Sequence, residues 1–326
     1  MQLRILSAED VRRALPMADA IEVMRRAFGQ LSASRADMPL RTRLTTDQGL
    51  LLLMPAFLRD SRELAVKAVS IWGDNPGKGL PAVIALATVF DPDTGEPKAI
   101  VNGEALTALR TGAGGGLATD LLARPDAHIV TVFGSGVQAR AQLEAACVVR
   151  KITTVRIIGR TSSSVEAFAQ EIAGWPAAPQ VELPTSRQAA VEGADIIITA
   201  TTSEKPVFDG THLSAGTHIT GVGSYAPHMQ EVDPVTVKKA KIVVDSLQAC
   251  LAEAGDLVIP LEKNIIRKVD IHGELGSIVN GQIPGRESPQ EITFFKSVGV
   301  AVQDASAASA IVREAEAQGL GTLVHL

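Results

Sequence analysis

The chain has 326 residues, enough for two domains of ordinary size, and its 46% hydrophobic and 21% charged residues are the balance of a folded globular protein. A net charge of -5 with 3% aromatic residues offers neither a basic stripe nor stacking platforms, which excludes nucleic acid as an expected partner. No apolar run reaches membrane-spanning length, the opening residues MQLRILSAEDVRRALP lack the apolar core of a signal peptide, and Cys147 and Cys250 form no C-x-x-C pair, so a cytoplasmic protein without membrane contact, structural disulfide or zinc site is expected.

In chain order, Ser7-Ala-Glu-Asp reads as a capping box ahead of Val11 to Leu15, and Met17 to Phe28 carries apolar residues at helical spacing. Strand-like segments follow at Leu40 to Leu44, Leu50 to Met54, Leu64 to Ser70, Ala82 to Phe90 and Ala99 to Asn102. They are punctuated by Asp47-Gln-Gly, Pro76-Gly and Asp91-Pro-Asp-Thr-Gly. Strands joined by short turns without intervening helices predict an antiparallel sheet, separate from what comes later. Glu104 to Leu122 predicts a helix, although Gly112 and Gly114-Gly115-Gly116 signal either close packing or a loose helix.

The most informative stretch comes next. Ile129 to Phe133 is a buried-type strand that stops at Gly134-Ser135-Gly136-Val137-Gln138-Ala139, a G-x-G-x-x-A sequence. A helix, Gln138 to Val149, and a second strand, Val155 to Ile158, follow it. In that order Gly134 permits the tight turn, Gly136 lets the backbone approach a pyrophosphate, and the N–H groups opening the helix face the phosphates. Helix and strand signals then alternate: Val165 to Ile172, Val181 to Leu183, Arg187 to Val191, Ile196 to Ala200, His218 to Val222 and Ile242 to Asp245. This is the pattern of an α/β fold with a Rossmann-type doubly wound parallel sheet, beside a separate sheet-rich domain. The expected division is residues 1–115 for the sheet-rich domain, with a C-terminal helix in 303–326 packing back on it, and 116–302 for the nucleotide-binding domain. Asp304 to Gln318 reads as an Ala-rich amphipathic helix.

Arg43, Lys67 and Arg110 each interrupt a segment that otherwise looks buried. For any one of them a surface charge at a strand end is the more common explanation. Three together ahead of a Rossmann domain suit an anion clamp, with Arg110 beside Thr111 able to hold a carboxylate or phosphate. His128, His212, His218, His272 and His325 have no ligand spacing, so no metal is expected.

The segments MPLRTRL, LLLMPAF, AVKAVS, LPAVIALATVFDPDTGEPKAI, LTALRTGAGGGLA, VFGSGVQARAQ, ITGVGSYAPHMQEVD and GQIPGRESPQEITFFKSVGVAVQD resemble, in this order, the ornithine cyclodeaminase/μ-crystallin family. The resemblance implies a homodimer with a sheet-rich substrate and dimerisation domain and a Rossmann domain, carrying out nicotinamide chemistry on the C–N bond of an imino or amino acid. It places Arg43, Lys67 and Arg110 at the family's substrate-carboxylate and proton-handling positions, Lys67 and Arg110 as catalytic residues. Met54 and Val298 fall where the family borders its substrate. Thr111, Val137, Gln138, Val222, Gly223 and Ser297 fall at cofactor contacts, with Arg110, Thr201 and Ser224 grouped with them. Ala82 departs from a threonine common at its position.

Two further departures shape the expected chemistry. Where NAD-using proteins place an acid at the end of the second Rossmann strand, this chain has Gly159-Arg160-Thr161, whose guanidinium and hydroxyl suit a 2′-phosphate. NADP(H) is the expected cofactor, with NAD(H) the alternative. In Gly223-Ser224-Tyr225-Ala226-Pro227, Tyr225 takes the place of the family's cyclodeaminase aspartate, and a phenol of pKa near 10 is a poor general base at neutral pH. His228 and Glu231 are the titratable groups nearby, but their positions do not match the aspartate, and Glu231 reads equally as structural. The expected activity is NADPH-dependent reduction of a cyclic ketimine acid, Δ1-pyrroline-2-carboxylate or Δ1-piperideine-2-carboxylate, to proline or pipecolate. The alternatives are ornithine cyclodeaminase, an alanine-type dehydrogenase, and a non-catalytic NADP(H)-binding protein.

Overall fold

A computed structural model describes residues 2–325. The chain divides into two compact units, Met1–Arg110 with Val300–Leu326, and Thr111–Gly299. The first division falls inside one continuous helix, ahead of the expected 115/116 boundary, because that helix begins in the first unit and ends in the second.

The first unit opens with β1 (Gln2–Leu6), α1 (Ala8–Ala14) and α2 (Met17–Ser32). The Ser7 hydroxyl accepts from the Asp10 N–H, and the Asp10 carboxylate accepts from the Ser7 N–H at 2.9 Å, which is the capping box read from the sequence. Then come β2 (Ala36–Asp37), β3 (Thr42–Thr45), β4 (Leu50–Leu58), β5 (Glu63–Ile71), β6 (Val83–Phe90), β7 (Pro97–Asn102) and the first part of α3 (Gly103–Leu122).

The second unit holds the rest of α3, followed by β8 (Ile129–Phe133), α4 (Val137–Val149), β9 (Thr154–Ile158), α5 (Ser162–Ala173), β10 (Gln180–Glu182) and α6 (Arg187–Val191). It continues with β11 (Ile196–Thr199), β12 (His218–Gly221), α7 (Pro234–Lys239), β13 (Lys241–Val244), α8 (Leu247–Glu253) and α9 (Gly255–Glu262). It closes with β14 (Ile271–Glu274), α10 (Leu275–Val279) and β15 (Thr293–Lys296). The chain then returns to the first unit as α11 (Ala301–Gln318) and β16 (Thr322–His325).

The first sheet runs β16-β1-β7-β6-β5-β4-β2, with β3 also paired to β4. It is antiparallel except where β1 lies parallel to β7. Strict alternation along β4 and β5 sorts their side chains onto two faces. Leu52, Met54, Ala56, Ala65 and Lys67 point to the buried face, against which α11 packs. The Ala-rich α11 differs from the amphipathic helix expected: its residues 301–312 are buried all round, including Gln303, Asp304, Ser306 and Ser309, and it stops at Gly319 in the left-handed region, so 319–325 is turn and strand instead of helix.

The second sheet is parallel throughout and runs β10-β9-β8-β11-β12-β15-β13-β14. Its core gathers Val130, Val132, Val155, Ile157, Ile196 and Ile198 against Leu143, Phe168 and Ile172 of the flanking helices. β14 and β15 were not legible in the sequence, and β15 inserts between β12 and β13 out of sequential order. The glycines of α3 mark close packing: a Cβ at Gly112 would lie 2.7 Å from the Ala141 carbonyl oxygen, and one at Gly115 would strike the Gln142 amide. Gln142 donates from Nε2 to the Thr111 carbonyl at 2.7 Å, which locks the two helices in that register.

Candidate active site

Lys67 lies in the middle of β5 on the face covered by α11, and only 2% of it is exposed. A lysine there needs partners, since an isolated buried ammonium is costly. Its Nζ donates to Asp304 Oδ1 at 2.8 Å and to Thr107 Oγ1 at 3.3 Å. Arg110 donates from Nε to the same Asp304 oxygen at 3.0 Å and from Nη1 to Gln303 Oε1 at 3.0 Å. Gln303 answers by donating to the Arg110 carbonyl at 3.2 Å. Asp304 sits in the first turn of α11, where the helix dipole favours a carboxylate.

One carboxylate thus holds two cations. Its second oxygen is buried without a hydrogen bond, and Arg110 Nη2 has no protein partner among the described residues. Burial drives Lys67 down to about 8 against the opposing pull of Asp304, with Arg110 and Arg41 pushing the same way as burial. Burial pushes Asp304 upward, but the Lys67 and Arg110 charges and hydrogen bonds outweigh it and hold the carboxyl below its ordinary range. The cluster therefore offers an unpaired guanidinium edge for an anion and an ammonium able to lose its proton near neutral pH.

Around it, Met54 is the cross-strand partner of Lys67 and is buried. Arg43 does not fit the buried setting expected of it: all four residues of β3 are exposed. Arg41, just before that strand, is half-buried, and its charge reaches Lys67. The two arginines of R-x-R are two residues apart and share a face, so the spacing does not separate them; they differ in depth, Arg41 half-buried just before β3 and Arg43 exposed within it.

In the second unit a cleft of ≈ 660 Å³ lies at the carboxyl ends of β8, β9 and β11. It is lined by Gly134, Ser135 and Gly136, by Gly159, Arg160, Thr161 and Ser164, and by Ala200 to Ser203. Gly134 has φ 119°, a left-handed conformation, and a Cβ there would lie 2.5 Å from the Ala200 carbonyl oxygen. A Cβ on Gly136 would meet nothing within 4 Å, so that residue leaves open space beside the helix start. α4 has no side-chain cap, which leaves its first N–H groups available to a phosphate. Thr111 Oγ1 and Gln138 Oε1 are buried without hydrogen-bond partners. These features fit a dinucleotide: Gly136 and the α4 start would hold the pyrophosphate, and Arg160 and Thr161 the adenosine ribose.

Gly159 itself is constrained, since a Cβ would come within 2.6 Å of Val165 Cγ2. Thr161 Oγ1 and Ser164 Oγ are 2.7 Å apart, and Arg187, which sequence reading passed over, joins Arg160 on the cleft wall. Other expected cofactor residues are already engaged within the protein. Thr201 Oγ1 donates to Glu231 at 2.8 Å, and the Gly223 and Ser224 N–H groups donate to the other Glu231 oxygen at 2.7 and 3.1 Å. Ser297 Oγ donates to Asp245 at 2.7 Å, and the Val298 N–H does so at 2.9 Å. Val137 is 65% exposed and Val222 half-buried. Tyr225 and His228 are exposed, whereas Glu231 is fully buried.

The fold and these side chains define a class, that of the Rossmann-type nicotinamide-dependent oxidoreductases. The Ornithine cyclodeaminase/mu-crystallin family model matches residues 1–319, and the chain belongs to that family. It is 38% identical over 324 residues to a Δ(1)-pyrroline-2-carboxylate reductase of Bacillus cereus, covering 98% of this chain and 99% of the relative. It is 35% identical over 326 residues to an alanine dehydrogenase of Archaeoglobus fulgidus, covering 99% and 98%. Among solved structures, the Thermococcus litoralis Δ(1)-pyrroline-2-carboxylate reductase in complex with NADH and L-proline superposes with a TM-score of 0.93 at 41% identity, covering 98% of this chain and 99% of that one.

Proposed function

We propose that this protein reduces a small cyclic ketimine acid, Δ1-pyrroline-2-carboxylate or its six-membered homologue Δ1-piperideine-2-carboxylate, to proline or pipecolate, with NADPH preferred over NADH. The observation that carries the reading is the buried Lys67–Asp304–Arg110 cluster, which pairs an anion-binding edge with a proton source. The reductases of Bacillus and Thermococcus support the substrate class.

The bound dinucleotide supplies hydride to the imine carbon. Arg110 holds the substrate carboxylate through its free Nη2 edge, and Arg41 adds positive potential. Lys67, as the ammonium, either pairs with the carboxylate or gives its proton to the imine nitrogen; Asp304 keeps that ammonium charged and aimed. The position of Tyr225, an exposed phenol where a cyclodeaminase has an aspartate, favours a single reduction over a cycle of oxidation, ammonia loss and closure. NADPH preference rests on Arg160, Thr161 and Arg187 and on the absence of any acid at Gly159.

A homodimer is part of the same reading. The face of the first sheet opposite Lys67 carries Leu44, Leu53, Ile84 and Leu86, each 38–57% exposed, an apolar surface that a second copy would cover. A cytoplasmic setting fits the two solitary thiols, and among the described residues no helix is long and apolar enough to cross a membrane.

The test is a panel of the two ketimines, pyruvate with ammonia, and ornithine, each followed by nicotinamide absorbance with NADPH and NADH. Fastest turnover on a ketimine with NADPH is expected. Faster reductive amination of pyruvate, proline and ammonia from ornithine without net oxidation, or no turnover despite tight NADPH binding would each replace the reading. Arg160→Asp should weaken NADPH at least tenfold; NADH binding at least as tightly as NADPH in the wild type would remove the preference.

A further inference from the structure

Glu231 is fully buried in the connection between β12 and α7, eight residues after Gly223, and it gathers five donors. Oε1 accepts from the Thr201 N–H at 2.6 Å and the Thr201 hydroxyl at 2.8 Å. Oε2 accepts from the Thr199 hydroxyl at 3.1 Å, the Gly223 N–H at 2.7 Å and the Ser224 N–H at 3.1 Å. These donors come from the carboxyl ends of two adjacent parallel strands, β11 and β12, where ligands of doubly wound sheets sit.

Glu231 is itself fixed from behind. Asp256 Oδ1 accepts from the N–H groups of Glu231 and Val232 at 2.6 and 2.9 Å. Asp256 pairs with Lys296 at 3.1 Å, both fully buried, and Lys296 Nζ also donates to the Gly221 carbonyl at 3.3 Å. Gly223 has no room for a side chain: a Cβ would strike the Thr201 carbonyl oxygen and lie 2.5 Å from Glu231 Oε1. Such an arrangement is more than the core of this unit needs, since β11 and β12 are already paired along their length. Its effect falls on the two loops that follow them.

We propose that Glu231, backed by the Asp256–Lys296 pair, is a positioning residue that clamps the 200–203 and 222–224 loops together and so shapes the nicotinamide end of the cofactor site. This rests on the reading that the second unit binds a dinucleotide. Residues 222–224 do not line the cleft formed by 134–136, 159–161 and 200–203, so freeing 222–224 from Glu231 acts on the end of the cofactor site away from the adenosine. A carboxylate is required: with donors at both oxygens, a glutamine must turn its NH2 towards N–H or hydroxyl donors on one side, and one loop is released.

The experiment is calorimetric titration of wild type, Glu231→Gln and Gly223→Ala with NADPH and with adenosine 2′,5′-bisphosphate, which lacks the nicotinamide half. Where NADH is the tighter dinucleotide, NADH and AMP are the pair. Both variants should bind the dinucleotide at least tenfold more weakly while the adenosine fragment stays within twofold of wild type. Gly223→Ala keeps Glu231 and presses on it from the loop side, so it gives the result if Glu231→Gln fails to fold. Unchanged dinucleotide affinity in the folded variants, or equal loss of both ligands, would overturn the proposal, the latter marking a general structural role. Wild type that binds neither dinucleotide removes the functional reading and this proposal together.

Discussion

Replacing Asp304 by asparagine removes one charge from the centre of the Lys67 cluster while keeping its shape and an acceptor for Lys67 and Arg110. Lys67 stands at about 8 as a balance: burial lowers it, and Asp304, 2.8 Å from Nζ, raises it. At an effective dielectric of about 20 an ion pair at ~4 Å is worth about 4 kcal/mol, or roughly three pK units at 1.36 kcal/mol each. The asparagine oxygen still accepts from the ammonium and returns part of this, so Lys67 should fall by about one to two units. The repulsion from Arg110 is already part of the wild-type balance and stays in the variant.

In either of its roles Lys67 acts as the ammonium, so ketimine reduction should decline as pH rises through its pKa. The assay is the pH dependence of kcat/KM for the ketimine under saturating NADPH, with thermal unfolding to confirm that Asp304→Asn is folded. Wild type should lose activity with a midpoint near 8, and Asp304→Asn should show the same limb one to two units lower. A limb that stays in place, or moves to higher pH, would refute the assignment of Lys67 as the titrating group.

Three further outcomes follow from the same coordinates. Arg41→Ala should raise KM for the ketimine at least tenfold, while Arg43→Ala, on an exposed strand, should change it less than threefold; steady-state kinetics decides between the two arginines. Leu53→Asp with Leu86→Asp should convert a dimer to monomers in analytical ultracentrifugation, and a wild type that sediments as a monomer would remove the dimer reading. His218 is fully buried between Thr293 and Thr220, and burial, reinforced by Arg286 and Arg150, drives it down to about 3. Between pH 6.5 and 3 the unfolded chain therefore takes up a proton that the folded chain refuses. Stability falls through that window as pH drops, by up to about 1.4 kcal/mol per unit. Urea midpoints at pH 7 and 5 should differ less in His218→Asn; equal slopes would refute the assignment.

Much of the nucleotide site was legible because its demands are local. Gly134 must take a left-handed turn, Gly136 must leave space, and a helix must begin at once; all three are written within six residues. Family membership was legible for a related reason, since its blocks recur in order along the whole chain. The antiparallel strands β3 to β7 of the first unit were legible from alternation and turns, whereas the two-residue β2 was not, nor were β1, β14, β15 and β16. Each of these last four is a four- or five-residue segment whose strand character comes from a neighbour distant in sequence.

By itself the sequence determined that the chain has a Rossmann-type half, a sheet-rich half and an arginine, with no acid, just after the second Rossmann strand. Only the tertiary structure decided that Asp304, 237 residues beyond Lys67, joins it to Arg110, that Arg41 rather than Arg43 reaches the cluster, and that Glu231 clamps two loops. The physical reason is the same in each case. A side chain's charge state and direction are set by what is packed against it after folding, and a carboxylate at one end of the chain leaves no mark on the local pattern around the lysine it will meet.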